Sequence, residues 1–354
     1  MLGELQIGDG QNIGTSNGQI ALDCSVRKTN QGHYVISTTD FFFPLVTNPY
    51  LQGRIGAANV LSDLYSAGVT TCDFVLMLLA ACREMSESER KICTTYMIKG
   101  FQDACCIDAG TSITGGQTVL NPWPIIGGVA TSIVAEGEFV PSDGANIGNV
   151  VVLTKPLGTQ IAVNVHQWRN SEGNKYWKKC LEDNIITEDD ADTMMHYACV
   201  NMARLNKHAG GLMLKYQATA ATDVTGFGML GHAQNLIENQ KCDGADMILH
   251  TLPCIEKTKV VNDRVFNFRL SVGYSAETSG GLLVCFPSTE LAQEYITELK
   301  ELDSTNAWIV GEIVEKQEDG GDAEDTTKTN GDKKTRKKNM ARLSEDVKYL
   351  EVTM

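Results

Sequence analysis

HYVISTTDFFFPLVTNPYLQGRIGAANVLSDLYSAG, His33 to Gly68, is the stretch whose reading decides the fold. Tyr34 to Thr39 is rich in β-branched residues and predicts a strand that stops at Asp40. Pro44 and then Asn48-Pro49 punctuate a loop. A helix pattern opens near Tyr50 and carries Gly53, Gly56, Ala57 and Ala58, small residues that let another backbone come close. It ends at Ala67-Gly68, with Gly68 where a helix C-terminus wants φ > 0. Asp63 stands in the last turn, at the negative end of the helix dipole, a placement that costs ~0.3–1 kcal/mol. A nearby cation would relieve that cost; a solvated aspartate would tolerate it.

Outward from this stretch, 354 residues suffice for two domains, each with its own core. A net charge of −14 argues against nucleic acid as the main partner, because phosphate backbones need a basic face. A nucleotide remains compatible if metal ions bridge its phosphates. The cysteine count, eleven, is odd, the spacing is irregular and no C-x-x-C occurs, so reduced thiols of a cytoplasmic protein are expected and a zinc site is not. The longest apolar run, Phe74 to Cys82, is too short to span a bilayer, so no membrane partner is expected.

Along the chain, residues 1–20 read as a flexible remnant that lacks both the dinucleotide fingerprint and G-x-x-x-x-G-K-[ST]. A first domain is assigned to residues 21–148. Its expected parts are a strand over Ile20 to Val26, a buried strand from Phe74, and a helix opened by the capping box Ser86-Glu87-Ser88-Glu89. A turn at Thr114-Gly115-Gly116-Gln117-Thr118 and a strand from Pro124 follow. The second domain, residues 149–354, repeats the α/β style. It begins with the strand Val150 to Leu153 and continues with a long helix over Asp189 to Tyr216. The run Ala218 to Gly228 leads into a helix from Met229, and a strand over Gly281 to Phe286, a helix from Glu290 and a strand from Trp308 come next. Residues 316–338 are charged and almost free of apolar side chains, which predicts a disordered insertion. Tyr349 to Val352 returns as an edge strand.

Asp23, Asp40, Asp63 and Asp223 each fall in or at the end of a strand, at a helix end, or at a strand-to-helix turn. Brought together, four carboxylates repel unless hard cations fill the gap. Carboxylate oxygens with bound phosphates are what Mg²⁺ takes, so magnesium with a nucleoside triphosphate is one reading of the set. Helix caps and turn aspartates are the other. His232 reads as a satisfied core histidine, and no G-x-S-x-G elbow supports acyl chemistry.

STTDFFFP, ANVLSDLYSAGVT, GGQTVLNPWP, LTKPLGTQIAVNVHQW, NMARLN, ATDVTGFGMLGHAQNL and ETSGGLL together resemble selenophosphate synthetase (selenide, water dikinase) of the eukaryotic type, over about Leu22 to Val314. The aspartate, glycine and T-S-G-G-L motifs are shared with the wider aminoimidazole ribonucleotide synthetase-like superfamily. The resemblance implies a two-domain α/β (α+β) fold in a cytoplasmic homodimer whose N-terminal domains pair into a β-barrel. It implies synthesis of selenophosphate from selenide, ATP and water, with release of AMP and phosphate, supplying selenium for selenocysteine synthesis. Matched position by position, it places Asp23, Asp63 and Asp223 as magnesium ligands. Thr38, Thr39, Asp40 and Asp63 fall at the nucleotide contact, and Gly116, Gln117 and Thr118 at a nucleotide turn contributed by the partner chain.

One departure is plain. The family carries a glycine-rich segment with a cysteine or selenocysteine and an essential lysine upstream of its first aspartate. Residues 1–22 contain neither cysteine nor lysine, and Cys24 and Lys28 do not match by position. No catalytic residue of that kind is therefore assigned, and the expectation is a chain lacking that segment with impaired turnover. The competing readings are a non-catalytic dimeric regulator or scaffold of selenium metabolism, and an ATP-dependent cyclase of the same superfamily.

Overall fold

The helix expected after Asn48-Pro49 runs from Pro49 to Ser66 (α1) in the computed structural model, which describes residues 23–43, 45–316 and 339–353. The Asn48 side chain accepts from the Tyr50 and Leu51 amides at 2.9 and 3.2 Å, Pro49 opens the first turn, and Gly68 leaves the helix at φ 72°. Fourteen of its eighteen residues are buried, so α1 is a central helix with structure on every side. A β-carbon on Gly53 would stand 2.0 Å from the Met97 carbonyl oxygen, and one on Gly100 would stand 1.9 Å from that of Tyr50. The crossing of α1 with Glu87–Gln102 (α2) thus requires glycine on both helices. The Ser86–Glu89 capping box opens α2, and the helix continues as a π-helix over Asp103–Ala109 before Gly110 ends it at φ 76°.

The first sheet has the order β1-β2-β5-β3-β4, from Ser25–Lys28 (β1), Tyr34–Phe42 (β2), Phe74–Cys82 (β3), Ile113–Asn121 (β4) and Ile125–Val134 (β5). All its pairings are antiparallel except β3 with β4. Three expectations are corrected here. The strand through Thr38 does not stop at Asp40; pairing with β5 carries it on to Phe42. The expected strand over Ile20 to Val26 begins only at Ser25, which leaves Asp23 in the bend before it. Gly115 to Thr118 form no turn but lie inside β4, where the lack of a side chain at Gly116 lets the strand approach Met77 of β3.

The second sheet has the order β11-β8-β10-β6-β9-β7. Its strands are Val150–Leu153 (β6), Ala220–Asp223 (β7), Ala245–Ile255 (β8), Leu282–Phe286 (β9), Trp308–Glu315 (β10) and Met340–Val352 (β11). Only β11 runs parallel to its neighbour, and it is the edge strand expected at the C-terminus, longer than Tyr349 to Val352. Val152, Leu282, Val284 and Phe286 join the core around α1, whereas Val151, Leu153, Leu283 and Cys285 join a second core. That second core lies under Thr159–Arg169 (α3), Lys175–Glu182 (α4), Glu188–Ala203 (α5) and Gly228–Glu238 (α7), whereas Lys207–Met213 (α6) packs Ala209, Leu212 and Met213 into the first. Burial on both faces is why β6 and β9 read as unbroken apolar runs.

The long helix expected over Asp189 to Tyr216 is broken into α5 and α6 at Arg204, which adopts an extended conformation (ψ 129°). Thr258–Arg264 (α8) and Thr289–Asp303 (α9) complete the α-helices among the described residues, α9 lying where one was expected from Glu290. The expectations for residues 1–20, for 20–22 of the first strand and for 317–338 lie outside the described residues. All eleven cysteines are free, and no described helix is long and apolar enough to cross a membrane.

Gly53→Ala is expected to lower the unfolding free energy by about 2–3 kcal/mol, because the clash is with backbone that cannot rotate away. Urea denaturation followed by circular dichroism measures it; a loss under about 0.5 kcal/mol would show that the α1–α2 crossing is not tight.

Candidate functional site

One stripe of α1 is polar although the helix is buried: Asn59, Ser62, Asp63 and Ser66, at helical spacing. This stripe faces β2 and the end of β7, and the four aspartates meet there. Asp63 accepts a short hydrogen bond from the Thr38 hydroxyl of β2. Asp40, two residues further along the same face of β2, accepts from Asn59 Nδ2 at 2.9 Å. Asp23 accepts from Ser66 Oγ at 3.0 Å and from Thr222 Oγ1 at 3.1 Å, and from the Asp223 amide. Asp223, at the end of β7, is 2 % exposed; Ser62 is its hydrogen-bond partner, and its Oδ2 has none.

The electrostatics are those of clustered carboxylates short of positive charge. Burial, opposed by the Ser66 and Thr222 hydroxyls, pushes Asp23 up to about 6. Burial and then the Asp23 charge push Asp223 up to about 8, with Lys155 acting the other way. Burial and the charges of Asp223, Asp23 and Asp40 hold Asp63 well above the usual carboxylate range. Carboxylates in that condition either keep protons or take a cation. The donor chemistry and the unpartnered Asp223 Oδ2 fit a divalent metal with hard oxygen ligands.

His232 of α7 is the histidine read as a core residue. It is buried, and its Nε2 accepts the Thr225 amide at 3.0 Å, yet a ring nitrogen also lies with oxygens of Asp23 and Asp223 inside a 4.8 Å cluster. Burial lowers its pKa to about 4, so the ring is neutral. Cys24 follows Asp23 but is buried, and burial together with the Asp63 charge pushes its thiol well above the ordinary range.

Other candidate residues lie elsewhere. Thr39 alternates to the opposite face of β2 and is exposed. Gly116 shares a row with Asp40 through Gly128 and Met77, which puts it three strands and ~14 Å away. Gln117 and Thr118 follow it, exposed on the edge strand. Within one chain, Thr38, Asp40, Asp63, Asp23 and Asp223 are brought together, and Thr39 and Gly116 to Thr118 are not.

The residues that sequence reasoning missed are the amides and hydroxyls that hold the carboxylates. Asn59, Ser62 and Ser66 were legible as a polar stripe on an otherwise apolar helix. Asn206 donates to Ser62 Oγ at 2.9 Å and to the Gly280 carbonyl at 2.8 Å, a contact that no local pattern signals.

The chain matches the AIR synthase related protein family, with its N-terminal domain over residues 21–134 and its C-terminal domain over residues 146–323. Selenide, water dikinase of Trypanosoma brucei brucei is 47 % identical over 319 residues, covering 87 % of this chain and 79 % of that protein. That of Dictyostelium discoideum is 48 % identical, covering 84 % and 80 %. Selenide, water dikinase 2 of Mus musculus is also 48 % identical, but the chain spans only 64 % of its length. The chain belongs to the selenide, water dikinase family. Among solved structures, thiamine monophosphate kinase of Aquifex aeolicus shares the fold at TM-score 0.59 and 17 % identity, over 84 % of this chain and 90 % of that one. Hydrogenase maturation protein HypE in complex with ATP does so at 0.58 and 14 %, over 89 % and 85 %.

Because Asp23 and Asp223 bind protons more tightly folded than unfolded, their contribution to stability is complete below the ordinary value of 3.8. It is lost as pH rises through about 6 and about 8. With chelator present, the Tm is expected to fall by several degrees between about pH 5 and about pH 9, and millimolar Mg²⁺ should restore most of it. Thermal melts with Asp223→Asn as the comparison check this; a Tm that rises with pH, or ignores Mg²⁺, contradicts it.

Proposed function

We propose that the chain makes selenophosphate from selenide, ATP and water, releasing AMP and phosphate, and so supplies selenium for selenocysteine synthesis in the cytoplasm. The observation that carries the reading is the cluster of Asp23, Asp223 and His232 about an unpartnered Asp223 oxygen, with Asp63 close enough to feel the charges of Asp23 and Asp223, in a chain of this family. Asp23, Asp63 and Asp223 would hold Mg²⁺. Magnesium, when bound, neutralises triphosphate charge and polarises the phosphoryl groups. The chain's own contribution is alignment. Thr38 fixes one oxygen of Asp63, Asn59 fixes one of Asp40, and Ser66 and Thr222 fix both oxygens of Asp23, so the carboxylates are set before a nucleotide arrives. Phosphoryl transfer needs charge neutralisation and in-line positioning more than an acid–base pair, which suits a site without a charged histidine.

We further propose a homodimer formed through the open side of the first sheet. That face carries Phe41 at 58 % exposure, Val119 at 50 % and Ile133 at 54 %, with Leu76, Leu78 and Val129 half-buried between them. The uncovered edge of β4 adjoins it. A second copy covering this face would bury the apolar patch. It would also explain why Gly116 to Thr118 stand apart from the aspartates of their own chain: they would serve the partner's nucleotide.

Calorimetric titration of the non-hydrolysable analogue AMPPCP with Mg²⁺ tests the site. Binding is expected to vanish with chelator and to weaken by at least about 100-fold in Asp223→Asn. Unchanged binding in that variant would sink the reading. With ATP and selenide the expected product is AMP; accumulation of ADP alone would contradict it. Val119→Lys is expected to turn a dimer into a monomer in light scattering, and a monomeric parent would dismiss the proposed interface.

A further inference from the structure

Lys155 follows β6 and is one of the largest fully buried side chains, at 1 % exposure. A lysine so placed must spend its donors on protein acceptors. Its Nζ donates to the Arg204 carbonyl at 2.7 Å and to the Ser279 carbonyl at 2.9 Å. Arg204 is the residue where the chain breaks between α5 and α6. Ser279 lies in the Thr278-Ser279-Gly280-Gly281 loop, which sits on the lysine backbone; a β-carbon on Gly281 would be 2.3 Å from the Lys155 nitrogen.

Ser279 is an unusual residue to fix. Its φ of 47° is left-handed, a conformation that non-glycine residues rarely adopt, so something must hold it there. Both of its backbone groups are engaged. The carbonyl takes the lysine ammonium, and the amide donates to Asn59 Oδ1 of α1 at 3.0 Å. The other end of that amide side chain, Asn59 Nδ2, donates to Asp40 Oδ2 at 2.9 Å. An unbroken line of hydrogen bonds therefore runs from the lysine of the second sheet, through a strained serine and the central helix, to a carboxylate of the first sheet. Asn206, two residues after Arg204, reinforces it by donating to both Ser62 and the Gly280 carbonyl.

We propose that Lys155 is a positioning residue: by holding Ser279 in its left-handed conformation it orients Asn59, and through Asn59 it fixes the Asp40 carboxylate for the nucleotide. The proposal rests on the reading of Asp40 as a nucleotide contact. Removing the ammonium leaves two buried carbonyls unpaired and releases the Ser279 backbone, so the effect should appear first at the Ser279 amide.

Lys155→Met and Lys155→Gln in the full chain test this by amide hydrogen exchange and by AMPPCP titration with Mg²⁺. In Lys155→Met, exchange at Ser279 should quicken at least tenfold and AMPPCP affinity should drop about tenfold. Lys155→Gln, which keeps two N–H donors, should recover part of both. In an Asn59→Ala background the lysine substitution should add little, because both act along one line. Protection of Ser279 within twofold of the parent, or fully additive losses in the double variant, overturns the proposal. So does failure of both lysine variants to fold, which would make Lys155 a residue of stability alone. If Asp40→Asn binds AMPPCP as the parent does, the nucleotide reading of Asp40 is what fails, and the exchange measurement still decides whether Lys155 governs the loop.

Discussion

Everything in this molecule is arranged around the cost of holding buried carboxylates close together. Burial first, and then the charges of neighbouring aspartates, raise the proton affinity of Asp23, Asp63 and Asp223, and the hydroxyls that touch them offset only part of that. A fold that merely needed stability would place leucine or alanine there. The packing instead draws the acids inward: α1 is buried on every side, and the polar stripe of Asn59, Ser62, Asp63 and Ser66 is buried with it. The two glycine contacts with α2 lock the helix in that position. The resulting excess of negative charge is what the proposed divalent cation would offset.

The two sheets make complementary contributions to this arrangement. The first supplies a flat, half-covered surface with Thr38 and Asp40 on its inner face. The second supplies Asp223 at a strand end, and loops that reach across to α1. Amide side chains do the joining. Asn59 and Asn206 each donate and accept, or donate twice, so a single residue can tie two elements without introducing another charge. The neutral His232 ring acts in the same way on the turn after Asp223, where it accepts the Thr225 amide.

The placement of Gly116, Gln117 and Thr118 bears on the proposed assembly. These residues follow the rows of the first sheet to its far edge, away from the carboxylates of the same chain. A nucleotide reaching both would need them from another copy. The uncovered apolar face beside that edge is the physical feature that makes such a copy a natural occupant.

By itself the sequence determined the strand–loop–helix around Asp40 and Asp63, the capping box of α2, the apolar strands β6 and β9 and the identity of the four aspartates. Each of these rests on local chemistry: side-chain branching, a cap, a period, or a carboxylate at an element end. It misjudged Gly115 to Thr118, because glycines that signal a turn also permit the close approach of β4 to β3, and only the neighbouring strand decides between the two. It ran α5 and α6 together, because helix propensity does not register the extended backbone at Arg204. The residues that orient the carboxylates were decided by tertiary structure alone. Asn206 meets Ser62 across 144 positions and Lys155 meets Ser279 across 124, and no spacing within the chain encodes contacts of that range.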